Sequence, residues 1–252
     1  MGKLLTKGMS NAKTAKGSEL GITNMILHLA PGKLSGNNAC PMASAGCLAA
    51  CLNTAGRGQF DSTQHARIEK TKKFYADPNA FVNQLAIEIA ALQRKAQRLG
   101  TLPAVRLNGT SDIRWELFSV EYNGETYPNL MTAFPIVQFY DYTKLPNRRN
   151  LPNNYHVTFS LSETNDKHAI MALASGMNVA VVFDKVPDQW SGYEVIDGDA
   201  HDFRFLDKKN VIVGLKAKGK AKHDTSGFVR SCDSTLDASR TLKTVWQLKE
   251  VA

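Results

Sequence analysis

Residues 179–184, Val-Ala-Val-Val-Phe-Asp, form an apolar run that ends at a carboxylate. No polar residue interrupts the run, as expected of a strand that is buried on both faces, and such strands are typical of parallel sheets. Residues 155–162 predict a strand before this run, and residues 194–197 and 211–215 predict strands after it. A helix predicted at residues 166–175 lies between the first two strands. This alternation predicts an α/β fold.

The chain before this run shows the same alternation. Strands are predicted at residues 22–30, 104–108 and 136–142. Helices are predicted at residues 62–75 and 77–100, and the second has an apolar residue at each turn of one face. Seven strands separated by helices or long connections predict a parallel β/α barrel-like fold, which is an open or partial TIM-type barrel.

We expect one domain, residues 21–252, preceded by a flexible basic arm at residues 1–20. The chain has 252 residues, and α/β barrels of this length commonly form a single domain. No apolar stretch is long enough to cross a bilayer, and the arm lacks the apolar centre of a secretory signal. These features predict a cytoplasmic protein with no membrane partner.

The net charge of +8 is unevenly distributed along the chain. Residues 1–16 of the arm have four lysines and no acid, and residues 208–230 (Lys208–Arg230) contain seven Lys or Arg against Asp224 alone. Clustered cations attract phosphates, so this stretch indicates a nucleic-acid or other phosphate-bearing partner. A solvated surface is the alternative, because charge runs of this kind are common.

Three of the four cysteines, Cys40, Cys47 and Cys51, lie within twelve residues at the spacing C-x6-C-x3-C. In a reducing compartment, clustered thiols more often bind metal or take part in redox chemistry than form disulfides. Cys47 and Cys51 are four residues apart and share one face of a helical turn. The loop before them, which contains Pro41 and Gly46, is suited to bringing Cys40 to the same face.

Cys232 is the remaining cysteine and lies in a polar stretch, where a buried structural cysteine is not expected. We therefore predict it as the fourth metal ligand. Three interpretations of the set remain open. A 4Fe–4S cluster accepts three ligands from one loop and a fourth from a distance. Structural zinc usually uses two close cysteine pairs. The third interpretation is that the cysteines are small core residues without a metal.

Polar residues follow many of the predicted strands, and they indicate a binding site at the carboxyl edge of the sheet. The predicted contacts to a cofactor or substrate from strand ends are Asn108, Asp112, Asp141 and Lys216. Arg57, between two glycines beside the cysteines, is a candidate anion contact. The alternative is that these side chains cap helices or begin turns.

A strand, then a cysteine loop, then a run of β/α units resembles the architecture of radical S-adenosylmethionine enzymes. That resemblance implies a three-cysteine cluster with one open iron. The usual loop of those enzymes is C-x3-C-x2-C, however, and a fourth ligand from Cys232 would block their chemistry.

The cysteine loop, residues 40–51, together with residues 29–36 and 56–58, resembles a family of uncharacterised tailed-bacteriophage proteins. Residues 106–112, 140–144 and 197–202 are similar to that family too. The resemblance implies a phage protein made in the cytoplasm of a bacterial host, and it implies no established activity.

The sequence thus leads to an expected 4Fe–4S protein with a structural, electron-transfer or redox-sensing role, and with a basic surface for nucleic acid. Two alternatives remain. One is a divergent radical S-adenosylmethionine-type enzyme with a three-cysteine cluster, and the other is a zinc-stabilised nucleic-acid-binding module.

Overall fold

The apolar stretches that predict strands form one large sheet in the computed structural model, which describes residues 2–8, 19–146, 148 and 150–241. The strands are β1 (Leu5–Lys7), β2 (Ile22–Leu27), β3 (Leu102–Arg106), β4 (Val120–Tyr122), β5 (Glu125–Tyr127), β6 (Gln138–Thr143), β7 (Tyr155–Ser160), β8 (Val179–Phe183), β9 (Gln189–Trp190), β10 (Tyr193–Asp197) and β11 (Ile212–Lys216). The helices are α1 (Ala45–Ala49), α2 (Asp61–Ala76), α3 (Pro78–Leu99), α4 (Leu130–Ala133) and α5 (Asp166–Ala174).

The sheet has nine strands in the order β1-β2-β3-β6-β7-β8-β11-β10-β9. All neighbours from β2 to β10 pair in parallel, and only the edge strands β1 and β9 pair antiparallel. The predicted α/β class with a mostly parallel sheet is therefore confirmed. No pairing joins the edges β1 and β9 within the described residues, so closure into a TIM-type barrel is not shown.

Helix α3 covers one face of the sheet because its apolar residues recur at helical spacing. Leu85 and Ile89 are fully buried and belong to the same core cluster as Val105 of β3 and Phe139 of β6. The Asp77 side chain accepts a hydrogen bond from the N–H of Ala80 at the start of the helix, and Gly100 ends it in the left-handed conformation. The helix predicted at residues 77–100 is confirmed.

The opposite face of the sheet is partly covered by the segment that follows β10. Phe203 packs there with Ala104 of β3 and Tyr140 of β6. Arg106 of β3 forms an ion pair on this face with Asp202 at 2.8 Å. Strands β3 and β6 therefore have packed side chains on both faces. Strand β8, from the predicted apolar run at residues 179–184, is likewise buried at four of its five residues.

Part of the predicted flexible arm is a strand. Residues 5–7 form β1 beside β2, with Leu4 and Leu5 buried, and the Glu88 carboxylate accepts hydrogen bonds from the N–H groups of both leucines at 2.8 and 2.9 Å. Residues 9–18 of the arm lie outside the described residues. Among the described helices, none has the length and apolar character needed to cross a membrane.

Candidate metal centre

The cysteine segment, residues 39–60, leaves the carboxyl end of β2 and crosses to the loop that follows β3. The N–H of Asp112 donates to the carbonyl of Ala39 at 2.8 Å, and the Cys40 thiol donates to the carbonyl of Thr110 at 3.7 Å. The Thr110 hydroxyl in turn donates to the carbonyl of Leu29 at 2.6 Å. These contacts place Cys40 at the carboxyl edge of the parallel strands, where the sequence predicts the site.

Helix α1 carries Cys47 and is fixed at its start by two side chains. The hydroxyl of Ser44 accepts a hydrogen bond from the N–H of Cys47 at 3.2 Å. The carboxylate of Glu163, from the loop after β7, accepts from the Ser44 hydroxyl at 2.6 Å and from the Gly46 N–H at 2.7 Å. A Cβ at Gly46 would lie 2.1 Å from the hydroxyl of Ser226. The helix therefore packs tightly between two other loops.

The thiols of Cys40, Cys47 and Cys51 lie close enough for their charges to interact. The pKa of Cys40 is raised to about 12, chiefly by burial, and the negative charges of Cys51 and Cys47 contribute to that rise. Burial also raises the pKa of Cys51, and the charge of Cys47 adds to that shift. All three residues are half-buried and in no disulfide. The structure therefore brings these three predicted ligands into one neighbourhood.

The three thiols do not form a compact single-ion site. Within residues 2–8, 19–146, 148 and 150–241, no three His, Cys, Asp or Glu side chains are grouped tightly enough to hold one metal ion. A zinc ion binds its sulfur ligands at about 2.3 Å, so the sulfurs of a zinc site lie nearly in contact. A zinc site would therefore need the cysteine segment to contract.

Cys232 lies at the carboxyl end of β8. Its N–H donates to the Asp184 carboxylate at 3.3 Å, and Arg230, two residues earlier, forms a parallel bridge with Phe183. Cys232 is half-buried, and no described contact joins its thiol to the other three. Its role as a fourth ligand stays a prediction.

Arg67 of α2 is a buried cation beside Cys51. It is only 9% exposed, and its guanidinium donates to the side-chain oxygen of Asn53, two residues after Cys51. Its Nε has no hydrogen-bond partner, and no described carboxylate forms an ion pair with it. Burial lowers the pKa of Arg67, and the thiolate of Cys51 opposes that effect. The nearby group whose ionisation would stabilise this cation is thus the thiol of Cys51.

Lys144 supplies a second cation at the end of β6. Its ammonium donates to the hydroxyl of Ser160 at 2.9 Å and lies 5.7 Å from the centre of the Phe228 ring. Its positive charge lowers the pKa of Cys51, against the larger effect of burial. The thiols therefore have cations from two different elements near them, α2 and the loop after β6.

Two of the predicted cofactor contacts, Asn108 and Asp141, lie in a buried network. The Asn108 side-chain oxygen accepts from the Trp115 indole at 3.0 Å, and the Asp141 carboxylate accepts from the N–H of Asn108 at 2.6 Å and from the Tyr155 hydroxyl at 2.7 Å. Burial raises the pKa of Asp141 to about 7. In this structure these two residues connect strands to loops.

The other predicted contacts differ in exposure. Asp112 is buried, and its carboxylate accepts from the Thr143 hydroxyl at 2.8 Å and from the N–H of Lys144 at 2.7 Å. Asp112 is also near enough to Cys40 for its charge to raise the pKa of that thiol. Arg57 and Lys216 are exposed. Asp112 is therefore the predicted contact that lies beside the thiols.

Sequence reasoning missed Arg67, Lys144 and Glu163 as site residues. From the sequence, Arg67 is predicted only to be one of several basic residues on a polar helix. The available signal was its helical spacing with Thr71 and Phe74, since these three residues form the buried stripe of α2. A charged residue on the buried stripe of a helix indicates a buried partner. No comparable signal in the sequence indicates that Glu163 contacts the cysteine segment.

Comparison with known proteins identifies a family for this chain. No curated protein and no solved structure matches the chain. A family model described as Gene product 88 matches residues 3–232, which includes all four cysteines. This match is consistent with the phage family that the cysteine loop resembles. The chain therefore belongs to the Gene product 88 family.

Proposed function

We propose that this protein binds a 4Fe–4S cluster at the carboxyl edge of its sheet through four ligands, which are Cys40, Cys47, Cys51 and Cys232. The cluster would serve electron transfer, redox sensing or structure, and in a phage protein it would do so in the cytoplasm of the bacterial host. One observation carries the proposal, which is the buried cation Arg67 beside Cys51 without a carboxylate partner.

The argument from Arg67 rests on the cost of burying a charge. An unpaired charge in a protein interior is destabilising by several kcal/mol, and buried charges are therefore normally paired. In the part of the chain that the structure describes, the anion-forming group that acts on Arg67 is Cys51. At neutral pH the raised pKa of Cys51 keeps this thiol protonated, so the pair has one charge. Metal binding deprotonates cysteine, and the site then gains the negative charge that Arg67 requires.

The spread of the thiols favours a cluster over a single ion. In a 4Fe–4S cluster each cysteine binds its own iron, so its sulfurs lie further apart than those around one zinc. Three thiols within electrostatic range of one another are compatible with that wider spacing. The zinc-stabilised module is accordingly the weaker candidate.

A second candidate function is a divergent radical S-adenosylmethionine-type enzyme. It is favoured by the placement of Cys232, whose thiol makes no described contact with the other three. Three ligands would leave one iron open to a substrate, and the polar carboxyl edge with Lys144 and Asp112 would face it. A four-cysteine cluster would have no open position, so the role of Cys232 separates the two functions.

Anaerobic purification, with iron and sulfide analysis and electron paramagnetic resonance, tests the proposal. We expect about four irons and four sulfides per chain, and each of Cys40→Ser, Cys47→Ser and Cys51→Ser should lose most of the iron. A colourless protein with one zinc per chain would refute the cluster.

Cys232→Ala distinguishes the two cluster types. With four cysteine ligands, the variant should lose most of its iron or retain a three-iron form. With three ligands, it should keep the wild-type iron content and resonance spectrum. Ser231→Ala, at the exposed neighbouring position, is the matched control and should behave as wild type in both cases.

A further inference from the structure

The sheet divides the basic stretch at residues 208–230 into two separate groups of cations. Strand β11 begins at Ile212 and ends at Lys216, and it is parallel to its neighbours β8 and β10. Lys208 and Lys209 therefore lie before the amino end of this strand, and the cations from Lys216 onward lie at its carboxyl end. Five strand residues span about 16 Å. One run of charge in the sequence is thus distributed over opposite edges of the sheet.

Three of the seven cations in this stretch are engaged by carboxylates. These pairs are Lys208 with Glu194 at 2.8 Å, Lys218 with Asp199 at 2.7 Å, and the buried Arg230 with Asp166. Lys216, Lys220 and Lys222 are exposed and form no ion pair within the described residues. The carboxyl edge therefore retains three lysines whose charge is available to a partner.

The alternation of lysine with small residues after β11 has a structural reason. Ala221 is 5% exposed and belongs to one core cluster with Ala50 and Phe228, and the half-buried Ala217 packs against the same cluster. The lysines between and beside these alanines are all exposed. Packing of the alanines therefore holds the lysines together on the surface.

Arg57 adds a fourth cation from the cysteine segment. The short helix Gly219–His223 lies against that segment, since a Cβ at Gly219 would lie 3.0 Å from the Cβ of Ala55. Arg57 follows Ala55 by two residues, is exposed and forms no ion pair in the part of the chain that the structure describes. We call Arg57, Lys216, Lys220 and Lys222 the basic face.

Few carboxylates oppose the charge of the basic face. Asp224 follows the short helix, and its carboxylate accepts hydrogen bonds from the N–H groups of Gly227 at 3.1 Å and Val229 at 2.9 Å. Asp61 at the start of α2 is the carboxylate closest to Arg57 in sequence. The four cations of the basic face therefore exceed these two carboxylates, and the surface is positive.

We propose that the basic face binds the phosphate backbone of double-stranded DNA without recognising its bases. A duplex has one phosphate charge per about 1.7 Å of its axis, so a compact group of cations meets more phosphates on a duplex than on a single strand. Lysine acts as a point charge, and contacts to phosphate contain no sequence information. The proposal does not depend on the metal centre.

Fluorescence anisotropy with a labelled DNA duplex, measured on the full chain over a range of salt concentrations, tests the basic face. Four phosphate contacts predict a slope between about −3 and −4 for the logarithm of the binding constant against that of the salt concentration. Lys220→Glu with Lys222→Glu should weaken binding by about tenfold or more at low salt and make this slope shallower by about two. Lys220→Arg with Lys222→Arg should bind as wild type, because the charge is retained.

The matched control is Lys208→Glu with Lys209→Glu, an equal charge reversal in the same basic stretch but at the opposite edge of the sheet. It should leave the binding constant within about twofold of wild type, since no phosphate contact is lost. Thermal unfolding of each variant verifies that it is folded.

Equal weakening by both charge reversals would show that net charge alone holds the DNA, and it would overturn the basic face. The proposal is also overturned if wild type does not bind the duplex at low salt, or if it strongly prefers one of two unrelated duplex sequences. Tighter binding to a single strand than to the duplex overturns the choice of partner. Iron analysis of the same protein is a separate measurement, so loss of the cluster proposal leaves this test intact.

Discussion

At the scale of single residues, the site depends on charges that the interior does not neutralise. Arg67 is buried beside a thiol, and Asp141 is a buried carboxylate whose pKa burial raises to about 7. The protonation of Asp141 therefore affects folding stability, and the charge of Arg67 affects ligand binding at the neighbouring thiol. Substitutions at these two positions therefore give readouts that a purely packing role would not give.

Arg67→Met should lower the reduction potential of the proposed cluster, whereas Arg67→Lys should preserve it. Reduction adds negative charge, and a nearby cation stabilises that state, so its removal favours the oxidised form. We expect a roughly tenfold change in the reduction equilibrium, about 59 mV for one electron. Anaerobic potentiometric titration measures it, and equal potentials in wild type and Arg67→Met would show that the charge of Arg67 does not act on the cluster.

Asp141→Asn should remove a pH dependence of folding stability. The pKa of Asp141 is raised from 3.8 to about 7 in the folded protein, so folding disfavours its charged form. Its contribution to stability is complete below about pH 4 and is lost as the pH rises through about 7. Urea unfolding at pH 5 and pH 8 should therefore show a smaller decline for Asp141→Asn than for wild type. Asp188→Asn, at an exposed position, should retain the wild-type decline.

At the scale of secondary structure, the sequence predicts the regular elements well and the short ones poorly. The run at residues 179–184 and the helical repeat of α3 predict their elements to within about one residue, because burial imposes a continuous pattern on both. Strand β1 has only three residues, the last of which is Lys7, and the hairpin of β4 and β5 has one buried residue among six. Neither forms a pattern long enough to detect, so only tertiary pairing identifies them.

The same distinction explains which parts of the site could be predicted. The cysteines are close in sequence, so their spacing indicates a common site. Lys144 and Glu163 reach that site from different strand ends, and their contacts depend on the order β3-β6-β7 in the sheet. Asn108 illustrates the converse, because a polar residue at a strand end is equally suited to a structural network. The position of a polar residue at a strand end does not show whether it lines a binding site or belongs to a structural network.

Glu163→Gln should loosen the cysteine segment, because Glu163 fixes the start of α1. The substitution keeps the side-chain shape but removes the charge that strengthens its bonds to Ser44 and Gly46. We expect a loss of about 1–2 kcal/mol in unfolding free energy and faster iron release to a chelator. Glu121→Gln, at an exposed residue of β4, is the control. Unchanged iron release in Glu163→Gln would mean that this contact does not hold the segment in place.

At the scale of the whole molecule, the carboxyl edge is held together by the segment that follows β11. This segment contacts the cysteine segment through Ala221 and Ser226, and it contacts the end of β8 through Arg230. One stretch of chain thus joins the proposed centre and Cys232, the last predicted ligand. A substitution that weakens the attachment of this segment should therefore reduce both folding stability and retention of the proposed cluster.

The anchor is the buried ion pair between Arg230 and Asp166 of α5, and a double-mutant cycle measures its strength. Arg230→Met leaves the Asp166 carboxylate buried without this cation, and we expect a loss of about 3–5 kcal/mol in unfolding free energy. Arg230→Met with Asp166→Asn should recover part of that loss, because no unpaired charge remains. Urea unfolding gives the stabilities, and iron release from the same samples should be fastest in Arg230→Met. Additive losses in the double variant would show that the two side chains do not stabilise each other, and the segment would then owe its position to the packing of Ala221 and Phe228.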